Sequence, residues 1–259
     1  MTEASLKEFL ATALSAAESA RKVILSYYDG EFDIEIKADQ TPVTVADRHA
    51  EKIIRETINR AFPSHGIYGE EYGAESSDAE YLWLVDPIDG TKSFVKRYGM
   101  FSTQSALMHQ GELILGVSCA PAMDELVWAT RGGGAFDAGG QLHISDVSDI
   151  GAASISTGNI QSLAASESWA ALGRILAKTN RTRGYGDYYH YHRLAAGQLD
   201  AIIESDVNIL DIAALCVIVT EAGGVFTDLD GQTPGLDTRS VLAATPALHA
   251  ALSAELRRA

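Results

Sequence analysis

Apolar residues along this chain recur with two distinct periods. Leu6, Phe9, Leu10, Ala13, Leu14 and Ala17, then Ile24, Leu25 and Tyr28, are spaced by threes and fours. That spacing predicts one long helix with a single buried face, closed by Asp29-Gly30. Phe32, Ile34 and Ile36 alternate with acids and predict a short strand. Ile53, Ile54 and Ile58 predict a second helix from about Thr44 to Phe62, stopped by Pro63. Tyr81 to Val85 is an unbroken apolar run suited to a buried strand, and it gives way to Asp86-Pro87-Ile88-Asp89-Gly90. Between Ser102 and Ser145, the runs 105–108, 113–119, 126–129 and 142–144 are separated by glycine-bearing turns, which predicts an antiparallel meander.

Beyond residue 150 the pattern changes to alternating strands and helices. Strands are predicted at 154–157, 201–204 and 241–244, and helices at 169–177, 188–196, 209–222 and 247–258. No linker composition separates the two patterns, so the chain divides softly into halves 1–147 and 148–259 with a shared interface. The 259 residues carry a formal charge of −15, which argues against binding a phosphate backbone. No apolar run reaches the length of a membrane span. Cys119 and Cys216 sit in apolar runs as small hydrophobes, and Met1 to Lys22 lacks the pattern of a secretory leader. A cytoplasmic location is the expectation.

The chemistry is concentrated in acids. Asp86 and Asp89 stand three apart at a strand end, where burial of like charges calls for protons or a metal; a plain Asp-Pro, Asp-Gly turn is the alternative. Gly90 and Thr91 offer backbone N–H groups that can cradle an anion. Glu70-Glu71 supplies two more acids just upstream, though a solvated acidic turn is the usual meaning of paired glutamates. Asp211 opens an apolar helix and Thr44-x-x-Asp47 matches a capping box, so both are also plain helix caps.

Taken together, Asp47, Glu70-Glu71, Asp86 to Thr91 and Leu210-Asp211 resemble the inositol monophosphatase-like family of Mg²⁺-dependent, lithium-sensitive phosphatases. One departure is Leu210, where the family carries Trp. The resemblance implies an α/β fold of αβαβα layers, with a larger N-terminal and a smaller C-terminal sheet and the site where the halves meet. It implies metal ligation by Glu70, Asp86, Asp89 and Asp211 and the Ile88 carbonyl, with two or three Mg²⁺ ions and Mn²⁺ able to substitute. It assigns catalysis to Asp47, Thr91 and Glu70, and substrate contacts to Ile88, Asp89, Gly90, Thr91, Asp187, Glu204 and Asp211. It also implies a homodimer acting on a small phosphate monoester. An all-oxygen, carboxylate-rich donor set suits a hard cation independently of the resemblance.

The run Thr182 to Tyr188 and the later Leu194-Ala195-Ala196-Gly197-Gln198-Leu199-Asp200 resemble the histidinol-phosphate branch of that family. Histidinol carries an ammonium and a protonatable imidazole, and Asp187 and Glu204 would suit such a cation. Asp187 also reads as a cap for the helix that follows. Inositol-1-monophosphatase activity, a nucleotide 3′-phosphatase served by Lys92, Lys96 and Arg97, and an inactive ligand-binding descendant are the alternatives. Two other motifs carry less: Arg131 to Gly134 predicts a hairpin turn, and His190 and His192, two apart on a helix, face different ways.

Overall fold

A computed structural model describes residues 3–30, 34–36 and 42–257. The first predicted helix is α1 (Glu3–Tyr28). The pair β1 (Ile34–Ile36) and β2 (Pro42–Thr44) is antiparallel and leads into α2 (Val45–Ala61). Phe32 and Arg258, placed by pattern in a strand and in the last helix, lie outside the described residues.

The next elements are β3 (Gly66–Gly69), β4 (Gly73–Glu75), β5 (Tyr81–Asp89) and the short α3 (Thr91–Val95). The meander follows as β6 (Ser102–His109), β7 (Glu112–Ala120), β8 (Glu125–Thr130), β9 (Gly134–Asp137) and β10 (Gly140–Leu142). These strands form an eight-stranded sheet in the order β10-β9-β8-β7-β6-β5-β3-β4. Its one parallel pair is β3 with β5. The Arg131 to Gly134 segment is the expected hairpin turn, between antiparallel β8 and β9. The run at 142–144 differs from expectation, since β10 ends at Leu142 and its pairing to β9 covers only 140–142.

The second half contains β11 (Ser154–Thr157), α4 (Gln161–Ala164), α5 (Ser168–Leu176), β12 (Arg181–Arg183) and α6 (Asp187–Ala195). It continues with β13 (Ala201–Ser205), α7 (Ile209–Glu221), β14 (Val225–Thr227), β15 (Ser240–Ala244) and α8 (Pro246–Leu256). Its sheet has five strands in the order β12-β11-β13-β15-β14.

Alternation along the strands sorts the core into three cores between five layers. On β5, Trp83 and Val85 pack with α1 and α2, while Leu82 and Leu84 face the other way. That second face meets α6 and α7, which also cover Ile202, Val241 and Ala243 of the smaller sheet. The opposite face of the smaller sheet, including Ile155, Ile203 and Leu242, packs against α5 and α8. The layers are therefore αβαβα, as expected. Helix α7 is apolar all round because it lies between two sheets. A side chain at Gly116 of β7 would meet the Ala214 carbonyl at 2.3 Å, so the helix approaches that strand as closely as backbone allows. Among the described residues, no helix is long and apolar enough to cross a membrane.

Candidate active site

Every acid singled out in the sequence lies at the C-terminal end of a strand or in the first turn of a helix. Strand β5 does not stop at Val85 but runs through the motif to Asp89. Residues three apart on a regular strand point to opposite faces. Here Asp86 pairs with Gln104 and Asp89 with Ser102, so three steps on β5 match two on β6. The extra residue is a bulge, and it brings both carboxylates to one face. Pro87 sits inside the bulge, where a missing N–H is tolerated, and its carbonyl accepts the Thr103 hydroxyl at 2.8 Å. Gly90 then turns the chain at φ 83°; a Cβ there would lie 2.8 Å from the Met100 carbonyl.

Two capping boxes supply the remaining acids. At α2, Thr44 N–H and its hydroxyl donate to Asp47 Oδ2 at 2.8 and 2.6 Å. At α7, Asn208 N–H and its side-chain amide donate to Asp211 at 3.0 and 2.6 Å. The capping reading of both acids therefore holds, and it is what aims them. Asp86, Asp89 and Asp211 present carboxylate oxygens all within 4.8 Å of one another. Leu210, in place of the family Trp, is buried in the core between the sheets and leaves the Asp211 bonds intact.

Glu70 stands outside this trio. It follows β3, is exposed, and hydrogen-bonds Asp86. Thr91 opens α3, and its hydroxyl reaches the Ile88 carbonyl at 3.0 Å and Asp47 Oδ1 at 3.3 Å. As the first residues of a helix, Thr91 and Lys92 have N–H groups with no intrahelical acceptor. Asp187, read as a possible cap, makes no cap bond; Gly186 is the N-cap position and Asp187 itself sits at φ 47°. Its side chain lies beside the trio instead, in a small enclosed space shared with Asp89, Asn159, Tyr191, Glu204 and Asp211. That space measures about 20 Å³, room for an ion or a water and not for an ester. A neighbouring cleft of about 340 Å³ shares Asn159 and Asp187 and is walled by Gly158, Gly184, Tyr185 and Gly186. A larger cavity, about 560 Å³, lies along Leu113, Arg131, Cys216 and Phe226. Its acids are already engaged: Glu112 with Arg131, and Glu221 with the N–H groups of Gly132 and Gly134. The carboxylates, not the volume, mark the site.

Comparison with known proteins supplies the family. A family model described as "Inositol monophosphatase family" matches residues 5–259. The chain belongs to the inositol monophosphatase family. Within it, a Mycobacterium tuberculosis protein named "Histidinol-phosphatase" is 37% identical, aligned over 93% of this chain and 94% of that one. An "Inositol-1-monophosphatase" of Mesorhizobium japonicum is 34% identical, over 85% of this chain and 84% of its own. The solved structure of extragenic suppressor protein suhB from Bartonella henselae superposes with a TM-score of 0.88 at 28% identity, covering 96% of this chain and 98% of that one.

A phosphatase of this family assembles its acids against their mutual repulsion. Burial, followed by the charges of Glu70, Asp89 and Asp211, raises the Asp86 carboxyl well above the usual range. Burial and then Asp187, Asp211 and Glu204 do the same to Asp89. Asp211 is pushed up to about 7, chiefly by burial, although its bonds from Asn208 pull the other way. Burial also raises Asp47, against the bonds from Thr44.

Pattern reading missed Glu51. It is fully buried on α2, one turn from Asp47, and pairs with Arg55 at 2.8 Å. Its carboxylate accepts the N–H groups of Glu71 at 2.6 Å and Tyr72 at 3.3 Å, which pins the turn carrying Glu70. The available signal was the ladder Asp47, Glu51, Arg55 at helical spacing.

Two outcomes follow. In the metal-free protein the raised carboxyls hold protons that the unfolded chain has already lost, so stability falls as pH rises from the ordinary carboxylate range through the Asp211 value of about 7. Thermal melts in EDTA should show that decline between about pH 5 and pH 8, and Mg²⁺ should stabilise more at the upper end; a metal-free melt that rises over this span contradicts it. Glu51→Gln should weaken Mg²⁺ binding by ~10–100-fold through the Glu70 turn, read by calorimetric titration; unchanged affinity contradicts it.

Proposed function

We propose that this phosphatase hydrolyses histidinol phosphate to histidinol and phosphate, using Mg²⁺ held by Asp86, Asp89, Asp211 and Glu70, with the Ile88 carbonyl as a further oxygen donor and two or three ions per site. The donor set fits such a cation, since it is entirely oxygen and carries several negative charges that need compensation. A bound divalent cation supplies positive charge to the phosphoryl group and acidifies a coordinated water.

The chain's own residues do the positioning. Asp47 Oδ2 is occupied by Thr44, and Asp47 Oδ1 at 3.3 Å shares the Thr91 hydroxyl hydrogen with the Ile88 carbonyl at 3.0 Å. Held that way, the Thr91 oxygen keeps a lone pair to accept a hydrogen bond from the attacking water, and Asp47 is the base behind it. The N–H groups of Thr91 and Lys92 at the start of α3 would serve the phosphate as donors. No side-chain nucleophile is needed; Cys119 and Cys216 are buried, and burial holds their thiols up at about 11 and about 12. In-line displacement then depends on orientation and charge.

The observation that supports the substrate is the pair Asp187 and Glu204 beside Asp89 in the small space, with Asp187 also lining the neighbouring cleft of about 340 Å³. Asp187 is pushed up to about 6 by burial and then by Glu204, with His190 and Lys92 opposing. Two acids that repel each other next to an ester site favour an ester with a positive charge. Histidinol meets this requirement and inositol does not. The relative named histidinol-phosphatase supports the same choice.

The test is kcat/KM on histidinol phosphate and inositol 1-phosphate with Mg²⁺, with the Asp86→Asn protein as the blank. Histidinol phosphate should be turned over at least ~10-fold faster, and Asp86→Asn should lose activity by ~10³-fold or more while melting as a folded protein. Preference for inositol 1-phosphate overturns the substrate, and near-normal activity of Asp86→Asn overturns the site.

A further inference from the structure

Below the substrate acids lies a buried polar chain for which the hydrolytic step has no use. Ser156, His190, Tyr191 and Glu204 are each no more than 1% exposed. Ser156 Oγ accepts the Tyr185 N–H at 3.2 Å. Its own hydrogen is then free for His190 Nδ1, 3.3 Å away. His190 Nε2 points at Glu204 Oε2 at 3.2 Å, and with its hydrogen there the imidazole donates to that carboxylate. The Tyr191 hydroxyl donates to the same oxygen at 2.6 Å. Adjacent residues of α6 thus hold one atom of one carboxylate.

The other atom is left alone. Glu204 Oε1 accepts no hydrogen bond among the described residues; Glu204 lines the small space with Asp89 and Asp187, and Oε1 lies against Gly158, which walls the neighbouring cleft of about 340 Å³. A Cβ at Gly158 would come within 2.0 Å of Oε1. A buried carboxylate with one saturated oxygen and one bare oxygen is a directed acceptor, because desolvation makes its remaining lone pairs costly to leave unpaired.

We propose that His190 and Tyr191 are positioning residues for substrate selection: by holding Glu204 Oε2 they aim Oε1 at a cationic N–H donor on the organic part of the ester. The inference rests on the cationic-substrate reading above. His190 touches neither phosphate nor water in this arrangement; it acts through Glu204. Losing it frees the carboxylate to turn, so the penalty falls on esters that donate to Glu204 and spares those that do not.

The experiment measures kcat and KM for histidinol phosphate and for glycerol 2-phosphate, an ester with no cation, in wild type, His190→Ala, His190→Gln, Tyr191→Phe, Glu204→Gln and the His190→Ala/Glu204→Gln double variant. In His190→Ala the selectivity for histidinol phosphate should fall by ~10-fold, mostly through KM. His190→Gln, which keeps an N–H donor, should recover most of it. Tyr191→Phe removes only a hydroxyl and should shift selectivity the same way, which keeps the test valid if His190→Ala fails to fold. In the Glu204→Gln background, His190→Ala should cost no further selectivity. Equal losses on both esters, or a His190→Ala loss that adds fully to that of Glu204→Gln, overturn the positioning role. A wild type that does not prefer histidinol phosphate overturns the substrate reading, and this inference with it.

Discussion

The structure is organised around the repulsion of buried carboxylates. Asp86 and Asp89, both buried, and the half-buried Asp211 converge to within 4.8 Å, and Glu70 and Asp47 add to the field. Left as it stands, such a cluster favours protonation, which is the direction all four aspartates shift. A cluster that must ionise to work therefore calls for a cation from outside, and the fold holds the acids in place until one arrives.

Three devices do this holding, and each uses backbone instead of counter-charge. A one-residue bulge in β5 rotates Asp89 to the side of Asp86. Capping boxes at α2 and α7 tie Asp47 and Asp211 to helix N-termini, where the helix dipole favours negative charge. The αβαβα layering places α7 between the sheets, so that Asp211 from the second half reaches the strand end of the first. Glu51 adds a fourth restraint, through backbone N–H groups beside Glu70. Rigid placement is what in-line phosphoryl transfer asks of a protein, since the charge on the phosphoryl group does the rest.

The long elements were legible in the sequence because their patterns run for several turns or residues. α1, α2 and the core of β5 to β8 follow from spacing alone. β3, β4, β12 and β14 have three or four residues each, too few for a period, and they form because neighbouring strands offer pairing. The acid motif was legible as chemistry, but its geometry was not. Spacing by three on a strand implies opposite faces, and only the pairing of β5 with β6 reveals the bulge. Capping and ligation looked like competing readings of Asp47 and Asp211, whereas the structure lets each carboxylate do the first with some lone pairs and keep others for the second. At Asp187 the local signal misled: a residue held at φ 47° after Gly186 cannot present its side chain as a cap. The partners of Glu204 come from α6 and β11, and no local pattern connects those segments.

The central claim is that these carboxylates share a divalent cation, and anomalous diffraction from crystals grown with Mn²⁺ tests it most directly. The account predicts a strong peak at about 2.0–2.3 Å from an Asp86 oxygen and in the same range from oxygens of Asp89 or Asp211. A map with no peak between them, and those side chains turned away from one another, contradicts it.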